Sequence, residues 1–506
     1  MSIRHPLRFL VAGLALGAAF DLMFWGKAPG ISILIYVILL LAGLGLALRW
    51  QDARALPANL WMPGLLILFS IMAFVRANSF LIFLNILAIL TLLMLISNNL
   101  VRRATWTLKI SDLVLEPVRS GVYTLVGTAR IIRSSHQSLV SDGQGKHMKR
   151  LQAILVGLLI SLPILLVLIP LLVSADLIFA AWLHDFFSWE KVIKWGFRLS
   201  FMLIIGLLAG GALLYTAQKH TPEPDLFNPP TSRAQKDHAA RARPLGPIET
   251  LIPINLVNLL FFTFILIQIS YLFGGRVNIS EHGFTYAEYA RRGFAELVIV
   301  ALFIFFVILT LHRLSHLESP RSRRAFNLSA TLLLLLTMVL LISAFKRLAL
   351  YESAYGFTTM RIYPHVFMVW LGVLLIWFVF TLWFAPDRLA VGVLAAAFGF
   401  VLTLNILNPD AFIVHQNVAH YRAHGGQFAS FSDNRIVDVY YFQRLSADAV
   451  PALIEELPNL GGARAIVEED LKRRYQTMQE DEGWRRWQSW NLSRWRAYQW
   501  LKAYFE

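Results

Sequence analysis

The sequence predicts an all-α fold: a polytopic helical membrane protein with about eleven transmembrane helices and a C-terminal, mostly helical module outside the bilayer. Three observations carry this. Of the 506 residues, 57% are hydrophobic and only 15% are charged, where a soluble domain holds about a quarter charged residues. The apolar residues fall in runs of about 18 to 24, the length a helix needs to cross the hydrocarbon layer. The alternating segments of roughly ten residues that build a transmembrane β-barrel do not occur.

The candidate spans, in chain order, are 8–25, 30–49, 60–76, 79–97, 151–174, 196–217, 251–273, 294–313, 328–345, 364–385 and 389–407. They divide the chain into an N-terminal four-helix membrane segment (1–97), a basic segment (98–150), a main transmembrane domain (151–407) and a C-terminal module (408–506). The first run resembles a signal peptide in having Arg4 and Arg8 before it and small residues at Gly17–Ala19. Hydrophobicity continues past Asp21 through Trp25, which favours a retained span.

Lys and Arg crowd alternate connections, most densely 98–150, with Arg102, Arg103, Arg119, Arg130 and Arg133. Further basic residues at Arg49, Arg54, Lys219, Arg233, Arg321, Arg323, Arg324 and Arg388 fall on the same side when the spans are counted. Basic loops stay cytoplasmic, so the N-terminus is expected inside and everything after about 408 outside. Within 98–150, Val114, Val118, Val122, Leu125, Ala129 and Ile132 recur at helical spacing, with the arginines off that stripe. This reads as an amphipathic helix on the cytoplasmic membrane surface, started or kinked at Pro117. The net charge of +15 is spread over loops and tail, so anionic lipid headgroups are the expected partner and nucleic acid is not. The Pro-rich stretch 218–247 reads as a linker.

In the C-terminal module, Ser446 is placed to cap a helix over "ADAVPALIEEL". The last stretch, "GWRRWQSWNLSRWRAYQWLKAYF", read as one helix, gathers Trp484, Trp487, Trp490, Trp495 and Tyr498 within about 140° of the wheel. Trp484, Trp487 and Trp495 are therefore expected at a headgroup interface.

Chemical signatures are sparse. The chain has no cysteine, which rules out disulfides and thiol nucleophiles and says nothing of the redox compartment. It has no G-x-S-x-G, no P-loop and no H-E-x-x-H, so no catalytic residue, cofactor or metal is expected. His312/His316 and His420/His424 stand at i, i+4 but lack a positioned third ligand. Asn255, Asn258 and Gln268 are polar residues within one span, suited to bonding helices together or to lining a solute path. Gly13-x-x-x-Gly17 and Gly206-x-x-x-Gly210 mark close helix contacts.

One connection is unusual. Between two apolar runs, "SAFKRLALYESAYGFTTMRIYPHVFMVW" holds Lys346, Arg347, Glu352 and Arg361 among Tyr351, Tyr355 and Tyr363, on the side where positive charge is disfavoured. Arg347, Tyr351 and Tyr355 share one helical face. The preceding connection on that side, "YAEYARRGFAEL", carries Glu288, Arg291, Arg292 and Glu296. Charges at this depth persist when neutralised or used. The two connections are expected to form one charge network, with Arg347 or Arg361 paired to Glu288 or Glu296, beside a basic, tyrosine-lined cleft for an anionic headgroup, glycan or peptide.

At "YLFGG", "TYAEYARRGFAEL", "SAFKRLALYESAYGFTTMRIY" and "WQSWNLSRWRA", the chain resembles a family of bacterial multi-pass membrane proteins defined as a domain of unknown function, over roughly residues 150–500. The resemblance implies an inner-membrane location and carries over no substrate, cofactor or catalytic residue. Three functions fit the sequence. An envelope sensor or scaffold would engage a lipid, glycan or protein partner through its charged outer connections and outer module. A transporter would move a small or anionic solute. A membrane-embedded glycosyl or lipid transferase calls for a longer first outer connection than "FWGKAPG", with an acidic catalytic residue.

Overall fold

The computed structural model describes residues 5–141, 189–218, 245–272, 294–315, 317, 319–423, 439–481 and 483–506. Among them the protein is all-α, and ten helices are long and apolar enough to cross a membrane. They are α1 (Pro6–Phe24), α2 (Ile31–Trp50), α3 (Trp61–Val75, entered through a 3-10 turn at Pro57–Asn59), α4 (Ser79–Asn99), α6 (Trp189–Ala217), α7 (Pro247–Leu272), α8 (Phe294–Leu314), α9 (Pro320–Tyr355), α10 (Thr359–Phe384) and α11 (Leu389–Leu407). Each coincides with a run expected from hydropathy; the candidate at 151–174 lies outside the described residues, as does nearly all of the linker. Between α4 and α6 lies α5 (Ile110–Ser141), and after α11 come α12 (Pro409–Ala423), α13 (Val450–Glu456), α14 (Arg464–Glu480) and α15 (Leu492–Phe505).

Packing divides the spans into two bundles, and the division does not follow the sequence segments. One core takes Phe9, Val37, Leu66, Phe69, Leu92, Leu95, Ile131, Leu214 and Phe398, joining α1–α6 with α11. A second takes Ile254, Ala301, Ile308, Phe326, Leu334, Leu375 and Phe378, joining α7–α10. So α6, expected in one main domain with α7–α10, packs with the N-terminal helices, while α11 joins their core and also packs on α10, where the Trp370 indole donates to Thr403 at 3.0 Å. Hydropathy finds a span but is silent about its neighbour.

The two glycine motifs bring α1 and α6 into close backbone contact by packing on each other. A Cβ added to Gly13 would stand 2.5 Å from the Gly206 carbonyl oxygen, and one on Gly206 2.9 Å from that of Gly13. Gly17 meets the Met202 carbonyl in the same way. One interface end is tied by a bidentate ion pair, Arg198 to Asp21, at 2.7–2.9 Å. The α5 helix crosses the other end, with Thr128 donating to the Leu207 carbonyl at 2.9 Å and a Cβ on Gly127 falling 2.7 Å from the Gly211 carbonyl oxygen.

Pro117 lies inside α5 rather than starting it. The helix turns Glu116, Tyr123, Ile131 and Ser135 into the protein, while Val114, Val118 and Leu125 of the apolar stripe stay exposed.

The module has its own core, built by Ile413, Val418, Phe442, Leu453, Val467, Leu471 and Leu501. Ser446 accepts from the Asp448 amide at 3.2 Å, as the capping motif requires. The tryptophan-rich end is not one helix. Short 3-10 turns at Gly483–Arg485 and Trp487–Ser489 precede α15, which starts where the Asn491 side chain accepts from the Arg494 amide at 3.1 Å. An N-cap asparagine needs an extended backbone, and that breaks the wheel on which the stripe was drawn. Trp484 is therefore 7% exposed, an element of the module interior, not an interfacial residue. Trp487 and Trp495 are exposed.

Candidate functional site at the module face

Arg76, Ala77 and Asn78 form the tight connection between α3 and α4, and the module closes over them. Asn78 caps α4, its Oδ1 accepting from the amides of Phe80 at 3.0 Å and Leu81 at 3.2 Å. Its own amide and that of Ala77 both donate to Asp448 Oδ2 at 2.8 Å. Its side-chain Nδ2 donates to Asp410 at 3.0 and 3.1 Å, and Asp410 Oδ2 accepts from the Ser446 amide at 2.9 Å. Two carboxylates thus meet the positive end of the α4 dipole and its free amides, the place where a buried negative charge is best tolerated.

Both acids are almost wholly buried, Asp410 at 1% and Asp448 at 5%. Burial pushes the Asp448 carboxyl up from its ordinary range, with the neighbouring Asp410 adding to the rise. Further bonds extend the junction. Asn491 donates to the Arg76 carbonyl at 2.9 Å, Arg76 Nε to the Asn405 carbonyl at 2.8 Å, and the Asn85 and Asn405 amides pair reciprocally at 3.0 and 2.9 Å. At α2, the Ile31 amide donates to the Trp490 carbonyl at 2.8 Å. Gly30 leaves no room for a side chain there, since a Cβ would fall 2.5 Å from the Ser489 carbonyl carbon.

The charged connection stands beside this junction. The α9 helix is 36 residues long, about 54 Å at the α-helical rise, against about 30 Å of hydrocarbon. Its last turns therefore leave the apolar layer, which is why Lys346, Arg347 and Glu352 sit there. Glu352 is buried and its carboxylate meets His365 Nδ1 at 2.8 Å. Arg361 lies 4.2 Å over the Tyr351 ring and 5.9 Å from that of Tyr355, and donates to the carbonyls of Tyr355, at 2.9 Å, and Gly356. A guanidinium on the last carbonyls of α9 also complements the negative end of that helix. The expected helical face of α9 thus exists and binds Arg361.

The expected pairing between the two charged connections is placed only in part. Glu288, Arg291 and Arg292 lie outside the described residues, and Glu296 stands in the first turn of α8. On the described side, the partner of Glu352 is a histidine, and Arg361 is held by carbonyls and aromatic rings. The module closes this corner too. Asn417 accepts from the Phe357 amide at 2.6 Å and donates to its carbonyl at 2.9 Å, and His420 meets the Ser353 carbonyl at 2.8 Å. His316 and His424, the other members of the two histidine pairs, fall outside the described residues.

The intramembrane amides separate. Asn258 is buried and donates to the Ser329 carbonyl of α9 at 3.0 Å, bonding α7 to its neighbour, while Asn255 is exposed on the surface of α7. Gln268 lies in α7 with its side chain outside the described residues.

On the opposite face, sequence reasoning missed a second polar cluster. Glu116 of α5 is fully buried, and its Oε1 accepts from Asn99 at 2.9 Å and Arg103 at 2.8 Å. Arg103 also pairs with Asp112 at 2.7 Å, and Tyr215 donates to Asn98 at 2.9 Å under the Arg102 guanidinium. The legible signal was Asn98-Asn99 and Arg102-Arg103 at the close of a span, followed by two acids at helical spacing.

The profile of a family described as Domain of unknown function (DUF4153) matches residues 64–456. The chain belongs to that family. The match runs from within α3 to the end of α13, so the family domain contains Arg76, Asn78, Asp410 and Asp448 as well as Glu352, Arg361 and His365. It begins earlier than the resemblance implied and stops before "WQSWNLSRWRA", leaving α1, α2, α14 and α15 outside. No curated protein and no solved structure matches the chain.

Proposed function

We propose that this family member is an envelope sensor or scaffold of a bacterial inner membrane, with its N-terminus cytoplasmic and its module periplasmic, and that module and helix ends act as one rigid platform for a lipid, glycan or protein partner. The observation that carries this reading is the buried junction, in which Asp410 and Asp448 bind the α3–α4 connection from the module side. Breaking one bonded partner of a buried polar network leaves the other unsatisfied at a cost of about 1–3 kcal/mol per group, so a junction of this kind holds a fixed orientation. The Arg361 corner and the exposed Trp487 and Trp495 offer that platform basic and aromatic contacts.

Two further features support the reading. At the described ends of the basic connections, Arg102 stacks on Tyr215 and the Leu245 amide bonds the Leu314 carbonyl at 3.3 Å. There α5 offers an apolar stripe and arginines to anionic headgroups. Transport draws less support, because the two asparagines suited to a solute path are split between a helix contact and the bundle surface. Two recesses among the spanning helices, of about 370 and 270 Å³, are walled by Trp61, Leu394 and Phe398 in one and Met338, Phe345 and Val373 in the other, which suits lipid chains.

In-cell photo-crosslinking tests the proposal. A photoreactive residue at Met360 or Trp487 is expected to give a discrete adduct that Asp448→Ala abolishes, and a periplasm-only reporter after Glu506 is expected to be active. A reporter inactive there but active within 219–244 contradicts the orientation. Solute uptake by proteoliposomes, with no adduct from either position, contradicts the platform.

A further inference from the structure

A recess of about 360 Å³ opens in the module between α14 and the start of α15. Three arginines line it, in different states. Arg474 is fully committed, donating to Asp470 at 2.7 Å and to the carbonyls of Phe442, Gln443, Leu445 and Ser446. Arg473 reaches the same Asp470 at 2.5 Å, but its side chain remains 66% exposed. Arg494 bonds its cap Asn491 through the backbone amide, and among the described residues its guanidinium has no partner. Among the described residues that line or back the recess, two acids answer these three cations, Asp470 behind the wall and Asp481 on the rim, which leaves one cation over.

Apart from Thr477, whose hydroxyl donates to the Arg473 carbonyl at 3.0 Å, the rest of the wall is apolar. Val450, Met478 and Trp484 face the same space, and the Trp484 indole N–H is already spent on the Met478 carbonyl at 2.9 Å. Spare guanidinium donors beside an apolar wall recognise an anionic head on an apolar body: guanidinium forks match carboxylate and phosphate oxygens, and the wall rewards burial of carbon.

We propose that this recess binds a small, soluble organic anion, a carboxylate or phosphate monoester, held at its head by Arg494 and Arg473. Ala447 and Val450 of the wall bracket Asp448 in sequence, and Arg474 fixes the carbonyls just before it. An occupant therefore presses on the segment that holds the α4 cap, which deepens, and rests on, the sensor reading above.

The test uses full-length protein in nanodiscs of zwitterionic lipid, with phenyl phosphate as the probe and benzyl alcohol as its uncharged counterpart, followed by calorimetry. Saturable binding of phenyl phosphate alone is expected, weakening with salt and falling about tenfold or more in Arg494→Gln. Lys472→Gln, an exposed residue of α14 outside the recess, should leave it unchanged. The absence of saturable phenyl phosphate binding, or equal affinity in wild type and in the Arg473→Gln/Arg494→Gln double variant, overturns the proposal. Nanodiscs containing phosphatidylglycerol separate the two sources of such a head. Undiminished affinity supports a soluble ligand, and competitive loss assigns the recess to a lipid headgroup and overturns the claim. Hydrogen exchange at Ala77 and Asn78 separates the site from the sensor reading: slowing by the probe supports both, whereas Arg494-dependent binding without slowing supports the site and contradicts the sensor.

Discussion

Asp448→Ala is expected to destabilise the protein by about 3 kcal/mol, because it strips one buried and one half-buried backbone amide of their acceptor at about 1–3 kcal/mol each. Those amides belong to Ala77 and Asn78, both on Asp448 Oδ2 at 2.8 Å. Asp448→Asn keeps an oxygen for them and should cost much less. The pH dependence should be the reverse of the common aspartate case. Burial raises the Asp448 pKa in the folded state, so folding favours its proton. The stability this group contributes is fully present below its ordinary value of about 4 and is lost as pH rises through the raised folded value. Thermal unfolding of wild type and Asp448→Asn across pH 4 to 8 checks this: the difference between them should grow towards neutral pH in favour of the asparagine variant, once its fixed cost is subtracted. An unchanged difference would contradict the burial argument.

Gly206→Leu is the second large effect expected. A bare Cβ at Gly206 already falls 2.9 Å from the Gly13 carbonyl oxygen and 3.1 Å from the Leu14 Cα. Backbone has no rotamer through which to yield, so the side chain must separate α1 from α6. Overpacking costs about 1–3 kcal/mol where side chains can adjust, and more is expected here, with loss of the Arg198–Asp21 contact that the same interface aligns. Retention of folded protein in mild detergent, compared with Gly45→Leu, measures the effect. Gly45 has nothing within 4 Å of its Cβ position and should be nearly silent.

The legible part of this molecule is what one-dimensional patterns encode. Ten spans were visible because an apolar run of about 20 residues has few other uses. The glycine motifs were visible because only close backbone approach rewards Gly at i, i+4, though nothing in the sequence said that they meet each other. The partners of α6 and α11 were not legible, since hydropathy carries no pairwise information. The charged face of α9 was readable from its i, i+4 tyrosines, but the partner of Glu352 is His365, thirteen residues away across a helix turn that has no pattern of its own. The roles of Asp410 and Asp448 were not legible, because the connection they bind lies more than 300 residues away in the chain. Arg76 and Asn78, in a three-residue connection between two spans, were the available hint that something buried must meet them. The wheel over Trp484–Phe505 failed for a local reason, because Asn491 caps a helix instead of continuing one.

The central claim is that the module and the helix ends beneath it form one rigid body. The chain has no cysteine, so two spin labels can be placed without background, at Met360→Cys on the first turn of α10 and Trp500→Cys on α15, both exposed positions. Pulsed electron–electron resonance in nanodiscs should give a single narrow distance distribution, which broadens when Asp448→Ala is added. A broad or two-peaked distribution in the protein with Asp448 intact would contradict the claim.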